Sequence, residues 1–218
     1  MKTIREYKRA ARASLRGNWA PAVLASLALL FLAVLLSVPT ELFLYANLGP
    51  ALFFGLQAGS LLISTFLVVP LGVGYAVACL MLYETNDDRL CENMFKTAFS
   101  RYWHKVGGMF LMSLKVWLWS LLLVIPGIIM AFAYAMTPYI LEEHPEIGVW
   151  EASRVSQKMM RGHKFRLFRL NLSFIGWALL CVLTLGVGFL WLVPYMQMSQ
   201  AAFYSDLKAQ QGDAAITE

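Results

Sequence analysis

Charge is scarce in this chain. Only 14% of its 218 residues are Asp, Glu, Lys or Arg and 59% are hydrophobic, whereas a soluble domain averages about 25% charged and roughly 45–50% apolar. The mean hydropathy is +0.61. That excess of oil is too large for a soluble core of this size and calls for bilayer as solvent. Strict apolar–polar alternation is also missing, which excludes a transmembrane barrel. Cysteine and histidine are few. Cys79, Cys91 and Cys181 form no CxxC pair, and His104, His144 and His163 no HExxH, so neither a disulfide framework nor a zinc site is expected. The apolar runs contain no Asp, Glu41 stands alone at an outer edge, and Ser113 and Lys115 are two residues apart and share no helix face. Without a nucleophile–base pair, paired carboxylates or a metal cluster, the chain is expected not to be an enzyme and to need no cofactor.

What charge there is has a pattern. The net charge is +5, from 18 Lys and Arg against 13 Asp and Glu. The cations flank apolar runs, so they point to membrane topology and lipid headgroups rather than to nucleic acid.

The stretch from Gly148 to Leu207 sets the organisation. A basic amphipathic segment, Gly148 to Gly162, leads through His163-Lys164-Phe165-Arg166 into an apolar run that breaks once, at Leu185-Gly186-Val187-Gly188. This reads as a surface helix followed by a membrane hairpin, and the rest of the chain as two more versions of it. Residues 1–18 form the first surface helix, with Arg5, Arg9, Arg12 and Arg16 on one face and Ile4, Tyr7, Ala11 and Leu15 on another. The first span runs from Trp19 to Pro39, too long for a signal-peptide core and without an Ala-x-Ala site. Residues 40–57, with a turn at Leu48-Gly49-Pro50, connect outside the membrane. The second span covers Ala58–Tyr83, kinked at Pro70, Gly72 and Gly74; a re-entrant piece plus a short helix is the alternative. Within 84–106, Asp87-Asp88 cap a second surface helix striped by Leu90, Met94, Ala98 and Tyr102. The third span is Gly107–Ile125, Pro126-Gly127 the outer turn, and the fourth span Ile128–Leu141 with a kink at Pro138. Gly148 and Glu151 resemble a capping box for the third surface helix, which carries Trp150, Arg154, Lys158 and Arg161 as a stripe. The fifth span is Leu170–Thr184 and the sixth Val187–Tyr204, kinked at Pro194.

Basic residues fix the orientation. Six lie before Trp19, four in 84–106, six in 142–169 and one at Lys208; Lys115 is the remaining one, and the outer connections hold none. Both termini are therefore expected inside, with an even number of spans. Trp19, Trp103, Tyr83, Tyr139 and Tyr204 mark the inner interface. Laying residues 101–141 on 160–200 aligns His104-Lys105 with His163-Lys164 and Gly127 with Gly186, though only five of 41 positions match. Arg16-Gly17 likewise corresponds to Arg161-Gly162.

The expected fold is an all-α integral membrane bundle of six spans as three hairpins. Each hairpin follows an amphipathic cytoplasmic helix, in one domain over residues 1–207 (units about 1–83, 84–141 and 142–207) with a polar tail at 208–218. Candidate lipid- or ligand-binding residues are Arg16 and Trp19 at the first junction, Trp103, His104 and Lys105 at the second, and Arg161, His163 and Lys164 at the third. They either anchor topology or bind anionic lipid selectively. Lys115 is the lone charge deep in a span, about 12 Å from Gly107 at ~1.5 Å per residue. It either snorkels inward or marks a solute site.

Val124-Ile125-Pro126-Gly127-Ile128-Ile129, Tyr134, Pro138-Tyr139-Ile140-Leu141, Arg161-Gly162-His163-Lys164, Phe174-Ile175-Gly176-Trp177, Leu185-Gly186, Pro194-Tyr195 and Ala202-Phe203-Tyr204 together resemble a bacterial multi-pass membrane family, the domain-of-unknown-function family numbered 975. The resemblance is dense from Gly107 to Leu207. It implies a bacterial cytoplasmic membrane protein and brings no reaction, ligand or catalytic residue. The expected role is a non-enzymatic platform at the inner leaflet, with membrane lipids of anionic headgroup or a membrane protein as partner. The alternative is a small-solute or lipid transporter with a path between hairpins near Lys115.

Overall fold

The computed structural model describes residues 2–46, 50–87, 89–100, 102–122 and 124–211, with the side chains of 36–46, 50–51, 61, 104–105, 111–112, 117–122, 124–126 and 211 excepted. Every regular element among them is helical: α1 Ile4–Ser14, α2 Trp19–Ala46, α3 Pro50–Ile63, a π-helical turn Ser64–Val68, α4 Val69–Thr85, α5 Leu90–Phe99, α6 Tyr102–Leu122, α7 Val124–Ala133, α8 Thr137–Glu143, α9 Val149–Met159, α10 Lys164–Leu172, α11 Ile175–Leu183 and α12 Phe189–Gln211. The all-α expectation holds. By length and composition two stretches could cross a membrane, Leu52–Thr85 with 34 residues and Lys164–Leu183 with 20. A third is reached if Ile4–Ser14 and Trp19–Leu35, bent by 99° at their junction, count as one broken span.

Several boundaries move from where the sequence puts them. Residues 40–46 continue α2 and 50–57 belong to α3, so most of the expected outer connection is helix; Leu48-Gly49 lies outside the described residues. The stretch expected to hold the second span is one continuous helical run, Leu52–Thr85. Pro70 has no N–H to give, and the chain accommodates it with a π turn just before, in which the Val69 N–H reaches back to the Ser64 carbonyl. Pro126-Gly127 does not form the turn; both residues sit in the first turn of α7, where a proline's missing N–H costs nothing. Pro138 likewise starts α8 rather than kinking a span, and the break falls just before it at residues 134–136. The apolar helical stretch expected as the fifth span begins earlier than Leu170, since α10 opens at Lys164.

The helices expected at the surface match their patterns in part; Tyr102, expected on the stripe of α5, opens α6 instead. Thr3 and Glu6 form a reciprocal capping box that starts α1. Tyr7, Ala11 and Leu15 are wholly buried, as are Leu90, Met94 and Ala98 on α5. Asp87 accepts from the Arg89 N–H and from Asn93, fixing the entry to α5; Asp88 lies outside the described residues. Gly148 caps α9 by backbone alone, because glycine brings no side chain to a capping box. Gly17 and Gly162, at φ +92° and +76°, end α1 and α9 in the left-handed conformation that only glycine adopts freely.

Packing follows a rotation. α1 lies on α12, α5 on α4 and α9 on α8. α2 meets α5 and α12, α6 meets α9 and α4, and α10 meets α7 and α12. At the centre α4 packs on α12 and α8, and Tyr139 of α8 stacks on Tyr204 of α12 with ring centroids 4.9 Å apart. The core gathers at the end of the bundle that carries α1, α5, α8 and α9. Away from it, apolar side chains stay bare: Leu183 is 79% and Leu185 96% exposed.

One close approach is decisive for this packing. A Cβ on Gly74 would stand 2.3 Å from the Met94 carbonyl oxygen of α5, whereas one on Gly72 would meet nothing within 4 Å. Gly74→Ala should therefore lose about 1–3 kcal/mol through overpacking, read as a lower midpoint in thermal unfolding of the detergent-purified protein. Gly72→Ala should leave the midpoint nearly unchanged.

Candidate functional site

The basic residues sit on helices whose apolar sides are already committed to protein. Because Tyr7, Ala11 and Leu15 face α12 and α4, the other side of α1 presents Arg5, Arg9, Arg12 and Arg16 outward, all exposed. On α9 and just beyond it Trp150, Arg154, Lys158 and Arg161 are exposed in the same way. α1 and α9 share one end of the bundle. α1 reaches Asp206 on α12, and α12 reaches α8 through the Tyr204 hydroxyl, which donates to Glu143 at 2.7 Å, and through Lys208, 3.0 Å from the same carboxylate.

α1 is held there by specific groups. The Tyr7 hydroxyl donates to Asp206, and the Tyr7 ring meets Phe203 with centroids 5.5 Å apart. The backbone N–H of Lys2 also donates to Asp206. Lys8 turns inward, donates to the Ser173 carbonyl at 2.8 Å and lies over the Phe174 ring. Arg166 of α10 donates to the Lys2 carbonyl at 2.7 Å. Burial works against the Asp206 charge, but the Tyr7 hydroxyl, the Lys2 N–H and the nearby cations outweigh it and hold the carboxyl below its ordinary range. Burial, then the bond to Asp206, push the Tyr7 hydroxyl well up, so it stays a donor.

The predicted site residues are not one constellation. Arg16 is exposed beside the Gly17 turn, and Trp19 packs partly against the core. Trp103 is 77% exposed and meets Tyr102 and Phe66 edge-on. The side chains of His104 and Lys105 lie outside the described residues. Arg161 is exposed, and His163 and Lys164 are half-buried at the turn into α10. The Lys115 ammonium stands over the Trp150 ring, 3.5 Å from its centroid, and 5.7 Å from that of Tyr134. A lysine in the middle of an apolar helix thus returns its charge to the surface helix α9, the geometry of a snorkelling side chain in a cation–π contact. Among the described residues no three His, Cys, Asp or Glu side chains gather as metal ligands.

A groove escaped the sequence reading. It encloses about 420 Å³ between α11 and α12. Trp177, Leu180 and Cys181 line one wall, Trp191, Leu192 and Tyr195 the other, and Arg12 and Trp19 close one end. The signal was present as Trp177, Cys181 and Thr184 at i, i+4 and i+7, answered by Gly188, Trp191 and Tyr195 at i, i+3 and i+7. Only the tertiary pairing brings the two stripes face to face with α1. A second, open hollow lies along the outer side of α1, beside Lys2, Glu6 and Asp206. Neither touches Lys115.

Two outcomes follow. An Asp206 pKa lowered by folding means that α1 docking is fully present above the unfolded value of about 3.9 and is lost as pH falls through the folded one. Protection of the α1 amides from hydrogen exchange, relative to the intrinsic rate at each pH, should fall below about pH 4, and Asp206→Asn should lower it already at pH 7. Separately, Lys115→Met should leave the fold intact and cost about 0.5–2 kcal/mol, with a change in tryptophan emission that a Lys115→Arg variant largely restores.

No curated protein and no solved structure matches this chain. A family profile does, over residues 120–211, and its description reads protein of unknown function (DUF975). The match begins near the end of α6 and runs through α12, overlapping the zone of dense resemblance from residue 120 to Leu207. Over residues 120–211 the chain is thus similar to that family of unknown function, DUF975.

Proposed function

We propose that this chain is a non-enzymatic integral membrane platform whose inner-leaflet surface binds acidic lipid headgroups or a protein partner. The observation that carries the reading is the division of labour on the surface helices. Their apolar faces are spent on α12, α4 and α8, and their cations are left outward at one end of the bundle. The right-angle bend between α1 and α2 supports α1 lying along an interface while α2 enters the bilayer. The bare apolar side chains around α11 need a non-aqueous cover, and lipid supplies it.

In this reading the spans number six, as three hairpins with both termini inside a bacterial cytoplasmic membrane. The rotated pairing of α1, α5 and α9 on α12, α4 and α8 supports an arrangement of three related units, each surface helix resting on the returning helix of another. A transport path near Lys115 finds less support, because its ammonium is engaged by Trp150 and neither cavity reaches it.

Each cation near an acidic surface contributes about 1 kcal/mol. Replacing Arg9, Arg154, Lys158 and Arg161 together by Gln should abolish the enrichment of phosphatidylglycerol over phosphatidylethanolamine among lipids that co-purify with the protein. Equal retention of the two lipids by the unmodified protein would overturn the lipid arm of the reading. A binding partner captured equally well by the Gln variant would overturn the protein arm.

A further inference from the structure

We infer that the groove between α11 and α12 is a binding site for one acidic phospholipid, with an acyl chain between the helices and its phosphate on Arg12. The inference deepens the platform reading and rests on it for the side of the membrane concerned. Three features of the groove select this ligand. Its walls are apolar and aromatic, so they accept an alkyl chain, and its volume of about 420 Å³ falls within the range of small-molecule sites. Charge is confined to one end, where the Arg12 guanidinium rests 5.5 Å from the centroid of the Tyr195 ring; Thr184 at the other end spends its hydroxyl on the backbone of the turn. Among the described residues no carboxylate pairs with that guanidinium, whose planar fork suits a phosphate.

The fixed positions of the two ends match a lipid standing in a leaflet. The Tyr195 hydroxyl donates to the Lys8 carbonyl at 3.2 Å, tying the α12 wall to α1, and the bend at residues 15–18 sets Arg12 beside the start of α2. Trp19, at that same end, marks the depth at which indoles favour the membrane interface. Trp177 and Trp191 are each about half exposed, so the groove opens sideways toward lipid rather than into the bundle. A free phosphate would have no use for the oil, and an uncharged chain none for the arginine.

The three tryptophans supply the test. The full-length protein is placed in nanodiscs of phosphatidylcholine containing one-fifth phosphatidylglycerol, with brominated acyl chains on one lipid or the other, and tryptophan quenching is compared per mole of brominated chain. Brominated phosphatidylglycerol should quench at least twofold more efficiently. Trp177→Phe with Trp191→Phe should remove that excess, Arg12→Gln should abolish it, and Arg12→Lys should restore part of it. Equal quenching by the two lipids in the unmodified protein would overturn the site. An excess that survives unchanged in Arg12→Gln and in the double Phe variant would come from lipid around the whole bundle; the groove would fall and the platform stand. An excess that needs Arg12 and these tryptophans, alongside co-purified lipid with no enrichment that depends on α9, would leave the groove standing and the platform fallen. Circular dichroism of each variant confirms that the helices persist. If Leu180→Phe, which fills the groove without adding a tryptophan, kept the excess, the site would also fail.

Discussion

The clasp between the first helix and the last holds this architecture together. Tyr7, Ala11 and Leu15 are buried completely, and the partner that covers them is α12, nearly two hundred residues away. Asp206 accepts from Tyr7 and from the backbone of Lys2, so α1 is fixed by charge as well as by oil. α12 in turn contacts α4, α2, α9, α10 and α11, and stacks Tyr204 on Tyr139. In a bilayer, burying apolar groups from lipid yields little, so small residues and close backbone contacts must supply cohesion. This chain places its tightest contacts at one end, where α1, α5 and α9 provide aqueous-type packing, and uses Gly74 to bring α5 onto α4.

The consequence for function is that the exposed cations of α1 and α9 point away from the packed faces, whereas Lys8 and Arg166 tie α1 to its neighbours. A helix whose apolar stripe sank into lipid would hold its basic residues at fixed headgroup depth. Here the stripe sinks into protein, and the arginines of α1 project from a rigid support. Lys115 illustrates the same economy: from the interior of α6 its ammonium is carried to Trp150 on α9 and joins the basic end. Arg12 differs from its neighbours because it overhangs an oily groove.

Local features were legible in the sequence. The four-residue spacing of Tyr7, Ala11 and Leu15 and of Leu90, Met94 and Ala98 foretold which faces would be buried, whereas the left-handed turns at Gly17 and Gly162 were visible only as a repeated Arg-Gly pair. The span boundaries were less legible. A proline in an apolar run signals an interruption, but not whether the chain answers with a kink, a π turn as before Pro70, or a new helix start as at Pro126 and Pro138. The groove was illegible for a different reason. Its two walls are adjacent in sequence, but its charged end comes from α1, and nothing local to Arg12 distinguishes it from Arg5, Arg9 or Arg16.

The central claim is that the outward cations of α1 and α9 occupy the cytoplasmic side together. Replacing Arg9 and Arg154 singly by cysteine, in a background with Cys79, Cys91 and Cys181 changed to Ser or Ala, exposes each position to a membrane-impermeant maleimide. Both cysteines should stay unlabelled in intact bacterial cells and react once the membrane is permeabilised. Labelling of either one from outside intact cells would contradict the account.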